Sequence, residues 1–163
     1  MGIVIRTPSQ DDMAAVAEVH FRSRRSYYEG HLPEAELAAW EADVRAKGYR
    51  LDRFPERVWQ VAEEDGEVIG FALVTPDGKL WQLQVDPPHW GRGVGFALHG
   101  WCVAQFRGMG VATGRLDVFA ENHRARRFYE RRGWREVGRD DDHVLMELDI
   151  QPGGSPRVGA DSA

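Results

Sequence analysis

Residues 85–95 read VDPPHWGRGVG. An apolar run, LWQLQV at 80–85, comes before them, and a helix-like run, FALHGWCVAQF at 96–106, comes after. Pro87 and Pro88 end the strand, because neither has an N–H for a sheet ladder. Gly91, Gly93 and Gly95 then crowd the start of a helix, although glycine is a poor helix former. An isolated G-x-G-x-G is most often a loop of tight turns. Here the strand before it and the helix after it give the spacing more meaning. The first N–H groups of a helix lack intrahelical partners and carry partial positive charge, so they favour an anion. Glycine lets the backbone come close to that anion. The segment therefore suits a phosphate. It is not a P-loop, which needs Gly-Lys-Ser/Thr. Nor is it a dinucleotide fingerprint, whose last glycine would fall on Phe96 or Leu98.

The chain on either side alternates strands and helices. Ile3–Arg6 reads as a short strand. Ser9 and Asp12 have capping-box spacing before a helix that carries Met13, Val16, Ala17, His20 and Phe21 on one face and ends near Tyr28. Pro33 opens a second helix, which Gly48 ends. Residues 58–63 and 68–74 form a hairpin around Asp65-Gly66, and 79–85 is the next strand. A helix over 96–107, a strand over 115–119 and a helix over 122–132 follow. Strands over 134–138 and 143–149 complete the order β α α β β β α β α β β, a mixed sheet with helices on its faces in one domain over 1–150. The tail at 151–163, QPGGSPRVGADSA, is rich in Pro, Gly and Ser and is expected to be mobile.

Composition narrows the function. Length and an ordinary share of hydrophobic and charged residues fit one globular domain. A net charge of -5 argues against nucleic acid as partner. The single cysteine, Cys102, excludes an intrachain disulfide and lies within an apolar helix pattern, so it reads as buried and not as a nucleophile. No apolar run is long enough to span a membrane, and the N-terminus has no signal-peptide core, so the cytoplasm is the expected compartment. The six histidines are scattered without ligand spacing, and no metal is expected.

With its flanks, the glycine segment resembles the acetyl-coenzyme A motif of the GNAT superfamily of N-acetyltransferases, V-x-P-x-x-(Arg/Gln)-G-x-G-x-(Gly/Ala). Val85, Asp86 and Pro87 supply the start and Gly91 to Gly95 the loop, while Trp90 stands where Arg or Gln is most frequent. A second stretch, LDVFAENHRARRFYERRGW at 116–134, is similar to the family's next motif through Leu116, Val118, Asn122, Ala125, Phe128, Tyr129 and Gly133, with Trp134 in place of Phe. The resemblance implies an α+β fold: one central, mixed but mostly antiparallel sheet of six to seven strands, flanked by about four helices.

It also implies acetyl transfer from acetyl-coenzyme A to a primary amine by direct attack. The implied cofactor contacts are Leu83 and Val85 on the strand, Trp90, Gly91, Arg92, Gly93, Val94 and Gly95 in the loop, and Asn122 and Arg126 in the second motif. Asn122 also reads as a helix cap. Tyr129 is the implied general acid toward the leaving thiolate. The general base is Asp117 or a chain of waters, since Gln82 and Gln84 cannot take a proton. The first two helices are expected to choose the acceptor through Tyr27, Tyr28, Glu29 and His31. Aromatics with one acid suit a cationic amine. Trp40 fits the core more readily. A small-molecule amine is the first expectation. A protein N-terminus or lysine is the alternative, and a non-catalytic acetyl-coenzyme A sensor is a further one. The resemblance leaves a homodimer open.

Overall fold

The structure, a computed structural model, describes residues 2–152. The tail expected to be mobile lies outside them from residue 153 onward. The described residues follow the expected order: β1 (Val4–Arg6), α1 (Met13–Tyr28), α2 (Glu34–Lys47), β2 (Val58–Glu64), β3 (Glu67–Val74), β4 (Leu80–Val85), α3 (Val94–Gly108), β5 (Thr113–Phe119), α4 (His123–Arg131), β6 (Arg135–Asp140) and β7 (His143–Asp149). None of these helices is long and apolar enough to cross a membrane.

The expectation of one continuous sheet is corrected. β1-β2-β3-β4 form one antiparallel sheet and β5-β7-β6 another. The two meet where β4 and β5 begin, through a parallel bridge of Lys79 with Arg115, and the Arg115 N–H donates to the Gly78 carbonyl at 2.8 Å. Farther along, the outer edge of β4 is engaged elsewhere: the Trp90 indole N–H donates to the Val85 carbonyl at 2.9 Å. β5 completes its ladder with β7 over its whole length. The strands therefore diverge, and a wedge opens between them.

Helices fix both walls of this wedge. Met13, Val16 and Val19 of α1 pack on Trp59, Val61 and Phe71 on one face of the first sheet. On the other face, Val94, Leu98, Cys102 and Phe106 of α3, spaced every four residues, meet Ile69, Ala72 and Leu80. The same stripe continues onto Leu116, Val118, Val144 and Met146 of the second sheet. Each large apolar side chain in it contributes about 1.5–3 kcal/mol on burial. α3 thus spans both sheets and anchors the glycine loop at its own start.

Candidate active site

The wedge is a cleft of about 660 Å³, walled by β4, β5, the start of α3, one face of α4 and one face of α1. Its floor is pinned at the end of β4. Buried Asp86 holds Arg22 through both carboxylate oxygens, at 2.8 and 3.0 Å, and its N–H donates to the Ile69 carbonyl. Asp86 thus turns its N–H toward β3. By strand alternation, Leu83 and Val85 turn theirs toward the cleft.

The glycines have two different tasks. Gly91 and Gly93 have φ of 74° and 86°, and a Cβ at either would meet nothing within 4 Å. They supply a left-handed backbone that other residues adopt only at a cost. Gly95 supplies closeness: a Cβ there would lie 3.2 Å from the Phe128 ring, so α3 and α4 could not meet as they do. Gly93 caps α3, and the Ala97 N–H is the first to bond back, to the Gly93 carbonyl. The N–H groups of Val94, Gly95 and Phe96 are therefore left without intrahelical partners at the mouth of the cleft.

Two of the expected phosphate contacts lie elsewhere. Arg92 is held by Glu64 and His89 and points away from the cleft lining. Arg126 donates to the Ala120 carbonyl at 2.9 Å and faces Glu136. On this side the cations lining the cleft are instead Arg124 and, at the C-cap of α4, Arg132, which share a stripe with Phe128 at steps of four residues. Position 126 is turned roughly 200° from 124 at 100° per residue. Arg124 lies 3.7 Å over the Trp90 ring and Arg132 3.6 Å over Phe128. Burial lowers the pKa of both guanidinia, and the Arg132 Nε is buried without a hydrogen-bond partner. Neither meets a carboxylate among the described residues. Trp90, at a position where the resembled motif most often has Arg or Gln, thus stacks on the Arg124 cation.

Tyr129 lines the cleft from α4, packed edge-on against Phe128 and Trp134. Burial pushes its phenol well above the ordinary value, with the Cys102 thiol and the Tyr27 phenol adding to the effect. The phenol therefore keeps its proton and has an O–H to donate. Asn122 lines the cleft and caps α4, its Oδ1 accepting from the Ala125 N–H at 3.2 Å. Cys102 is fully buried, and its thiol is held protonated by burial. Asp117 reaches the cleft but is ion-paired with the Lys79 Nζ at 2.9 Å.

The opposite wall is a face of α1 made of His20, Ser23, Arg24, Tyr27 and Tyr28. The Ser23 hydroxyl donates to the Gln84 Oε1 at 2.5 Å, and the Gln84 amide donates to Gln82 at 2.8 Å. Burial raises the Tyr27 phenol to about 12. Tyr28 packs with its ring tilted against Phe119, centroids 4.7 Å apart, and its hydroxyl lies 3.4 Å from the His143 Nε2. The other two expected acceptor residues do not line the cleft. Glu29 is exposed and pairs with Arg25, and His31 is exposed and packs on Phe119. Trp40, expected in the core, is half-buried and reaches both places, the cleft and the Phe21 cluster. His20, expected on the buried face of this helix, and Arg24, which carries no local mark, both line the cleft and fall on the i, i+3, i+4, i+7, i+8 stripe that starts at His20.

Glu67, Asp86 and His89 are close enough together to hold a metal ion, the one such group among the described residues. Arg22 already takes both Asp86 oxygens, which makes the group an ion pair within the fold.

The chain is similar to known proteins in sequence and in fold. The model of the acetyltransferase (GNAT) family matches residues 16–134. A mycothiol acetyltransferase of Streptomyces coelicolor is 30% identical over 145 residues, covering 82% of this chain and 43% of that protein. One from Beutenbergia cavernae is 38% identical over 88 residues, covering 51% of this chain and 30% of that protein. The chain thus spans less than half the length of these relatives. In fold it is similar to the PaiA N-acetyltransferase of Thermoplasma acidophilum in complex with coenzyme A, with a TM-score of 0.81, 22% identity, and coverage of 91% of this chain and 99% of that one. The ribosomal-protein-S18-alanine N-acetyltransferase of Escherichia coli gives a TM-score of 0.69 at 21% identity, covering 95% and 98%.

Proposed function

Because the chain belongs to the acetyltransferase (GNAT) family, we propose that it moves the acetyl group of acetyl-coenzyme A directly to a primary amine of a small molecule. One observation carries this reading: the split between β4 and β5 gathers strand-edge N–H groups, a helix N-terminus and a protonated phenol in one cleft. The residues present fit the donor. The N–H groups of Val94, Gly95 and Phe96 would hold its diphosphate, with Arg124 and Arg132 as uncompensated cations beside them. Leu83 would align the pantetheine arm through its backbone. When bound, acetyl-coenzyme A supplies the activated acyl group.

The chain's own groups then have separate tasks. The Val85 N–H donates to the thioester oxygen as negative charge develops there. Tyr129 gives its phenolic proton to the departing thiolate. Asp117 is held by Lys79, so the proton lost by the amine leaves through water along the Ser23–Gln84–Gln82 row. Cys102 is buried, which favours direct transfer over an acyl-enzyme. The relatives named mycothiol acetyltransferase support a small-molecule acceptor.

The test is a panel of small amines and peptides, with coenzyme A release read by a thiol reagent and each acceptor read by mass. Gain of one acetyl group on a small amine supports the reading. Tight acetyl-coenzyme A binding with no release above hydrolysis identifies a binding module instead, and acetylation of peptides alone makes the acceptor a protein.

A further inference from the structure

α1 carries three arginines within four residues, in the run RSRR at 22–25. Two of them are neutralised inside the fold. Arg22 holds Asp86. Arg25 reaches Glu41 at 2.6 Å and Glu34 at 2.8 Å. Arg24, between them, meets no carboxylate among the described residues. Its guanidinium lies 4.1 Å over the Trp40 ring and 4.8 Å over the Tyr28 ring, and it lines the cleft. A cation placed between aromatic faces has lost part of its hydration, and it gains most from an anion that completes its shell.

The rest of this wall holds nothing that would serve. Asp117 is the only carboxylate among the described side chains lining the cleft, and Lys79 takes it. Glu29, the acid expected to greet a cationic acceptor, is turned outward to Arg25. The acceptor side of the cleft is therefore cationic where the sequence suggested an anionic one. This charge also favours the neutral form of an amine, which is the form that attacks.

We propose that the acceptor amine carries an oxyanion, a carboxylate or a phosphate, which Arg24 reads. This rests on the transferase reading above. Arg24 lies one helical turn from Tyr27 and Tyr28, about 5 Å along the axis. Tyr27 and Tyr129, where the acetyl group would leave its thiol, line the same cleft. The spacing suits a compact acceptor with its amine and its oxyanion only a few bonds apart, such as an amino acid or an aminoalkyl phosphate. His20, Ser23 and Gln84 on the same wall would contact the part between them.

The experiment measures kcat/KM on matched pairs of amines. One arm compares amino acids with their carboxamides, and the other compares aminoalkyl phosphates with the corresponding amino alcohols. Each pair is run with the wild-type protein, Arg24→Gln and Arg24→Lys, and acetyl-coenzyme A affinity is measured beside them. Dividing the wild-type preference by the Arg24→Gln preference cancels differences in amine basicity within a pair. The expected result is a preference for the oxyanion partner of about tenfold to hundredfold, lost in Arg24→Gln and partly kept in Arg24→Lys. Acetyl-coenzyme A affinity stays the same in all three. The arm that shows the preference tells carboxylate from phosphate. Equal rates within both kinds of pair, or a preference that survives Arg24→Gln, overturn the proposal. An equal loss on both members of each pair does so too, because it makes Arg24 a packing residue. If no amine in either arm is acetylated, the transferase reading falls first, and the proposal with it.

Discussion

Gly93→Val separates the two tasks that the glycine loop combines. Gly93 caps α3 with φ of 86° and ψ of 4°. A Cβ there meets nothing within 4 Å, so the first added atom brings no clash. The cost is conformational, about 1–2 kcal/mol for an L residue in the left-handed region and toward the upper end for a β-branched one. A domain of this size has roughly 5–15 kcal/mol of stability, so it stays folded. Its Tm falls by roughly 5 °C, at about 2–4 °C per kcal/mol. If the backbone relieves the strain by rotating, the N–H groups of Val94, Gly95 and Phe96 lose their common aim. Each charge-assisted bond to a phosphate is worth about 1.5–3 kcal/mol, so losing one weakens acetyl-coenzyme A binding about tenfold to hundredfold. Calorimetric titration gives the affinity, and thermal melting shows that the protein is folded. An unchanged dissociation constant, with Tm lowered as expected, would refute the role given to this loop.

Tyr129→Phe is expected to lower kcat by about a hundredfold while acetyl-coenzyme A affinity holds, because only the proton donor is lost; stopped assays and calorimetry on the same preparation check both. Since the Tyr129 phenol is raised, it stays protonated as pH increases, and the wild-type rate should not decline through the mildly basic range. Arg124→Gln and Arg132→Gln should each weaken acetyl-coenzyme A binding about tenfold and flatten its salt dependence, as binding isotherms at several ionic strengths will show. His20 and His99 are each lowered by burial from 6.5 to about 4, with Arg24 and Arg132 respectively adding to the effect. The unfolded chain then binds more protons than the native one between those values. Their contribution, on the order of 2–3 kcal/mol each, is complete above about 6.5 and is lost as pH falls toward about 4. Denaturant melts across that window should be steep for the wild type and shallower for His99→Gln, whose Nε2 in the native protein accepts from the Trp134 indole at 2.9 Å. Cys102→Ala should leave turnover intact at a stability cost of about 1 kcal/mol, measured by the same melts.

Strand order, helix order and the glycine loop were legible because each leaves a local mark: alternation, a four-residue stripe, a proline pair or a run of glycines. The division of the sheet was not. Along the split the Trp90 indole takes the Val85 carbonyl, and Phe128 and Tyr129, far along the chain, line the gap between β4 and β5. The cofactor-side arginines show the same limit. Five arginines at 124, 126, 127, 131 and 132 look alike in sequence. Phe128, once known to touch Gly95, sets the helical phase that selects 124 and 132. Glu29 was misplaced for a comparable reason. α1 ends at Tyr28, so the stripe through Tyr27 and Tyr28 does not continue to it, and Arg25 draws it outward.

Seating of acetyl-coenzyme A in the split between β4 and β5 is tested most directly by amide chemical shifts during titration with coenzyme A. The largest changes are expected at Leu83, Val85 and residues 91–96, with side-chain shifts at Arg124 and Arg132. Saturable binding whose shifts bypass the glycine loop and β4 would contradict this placement of the cofactor.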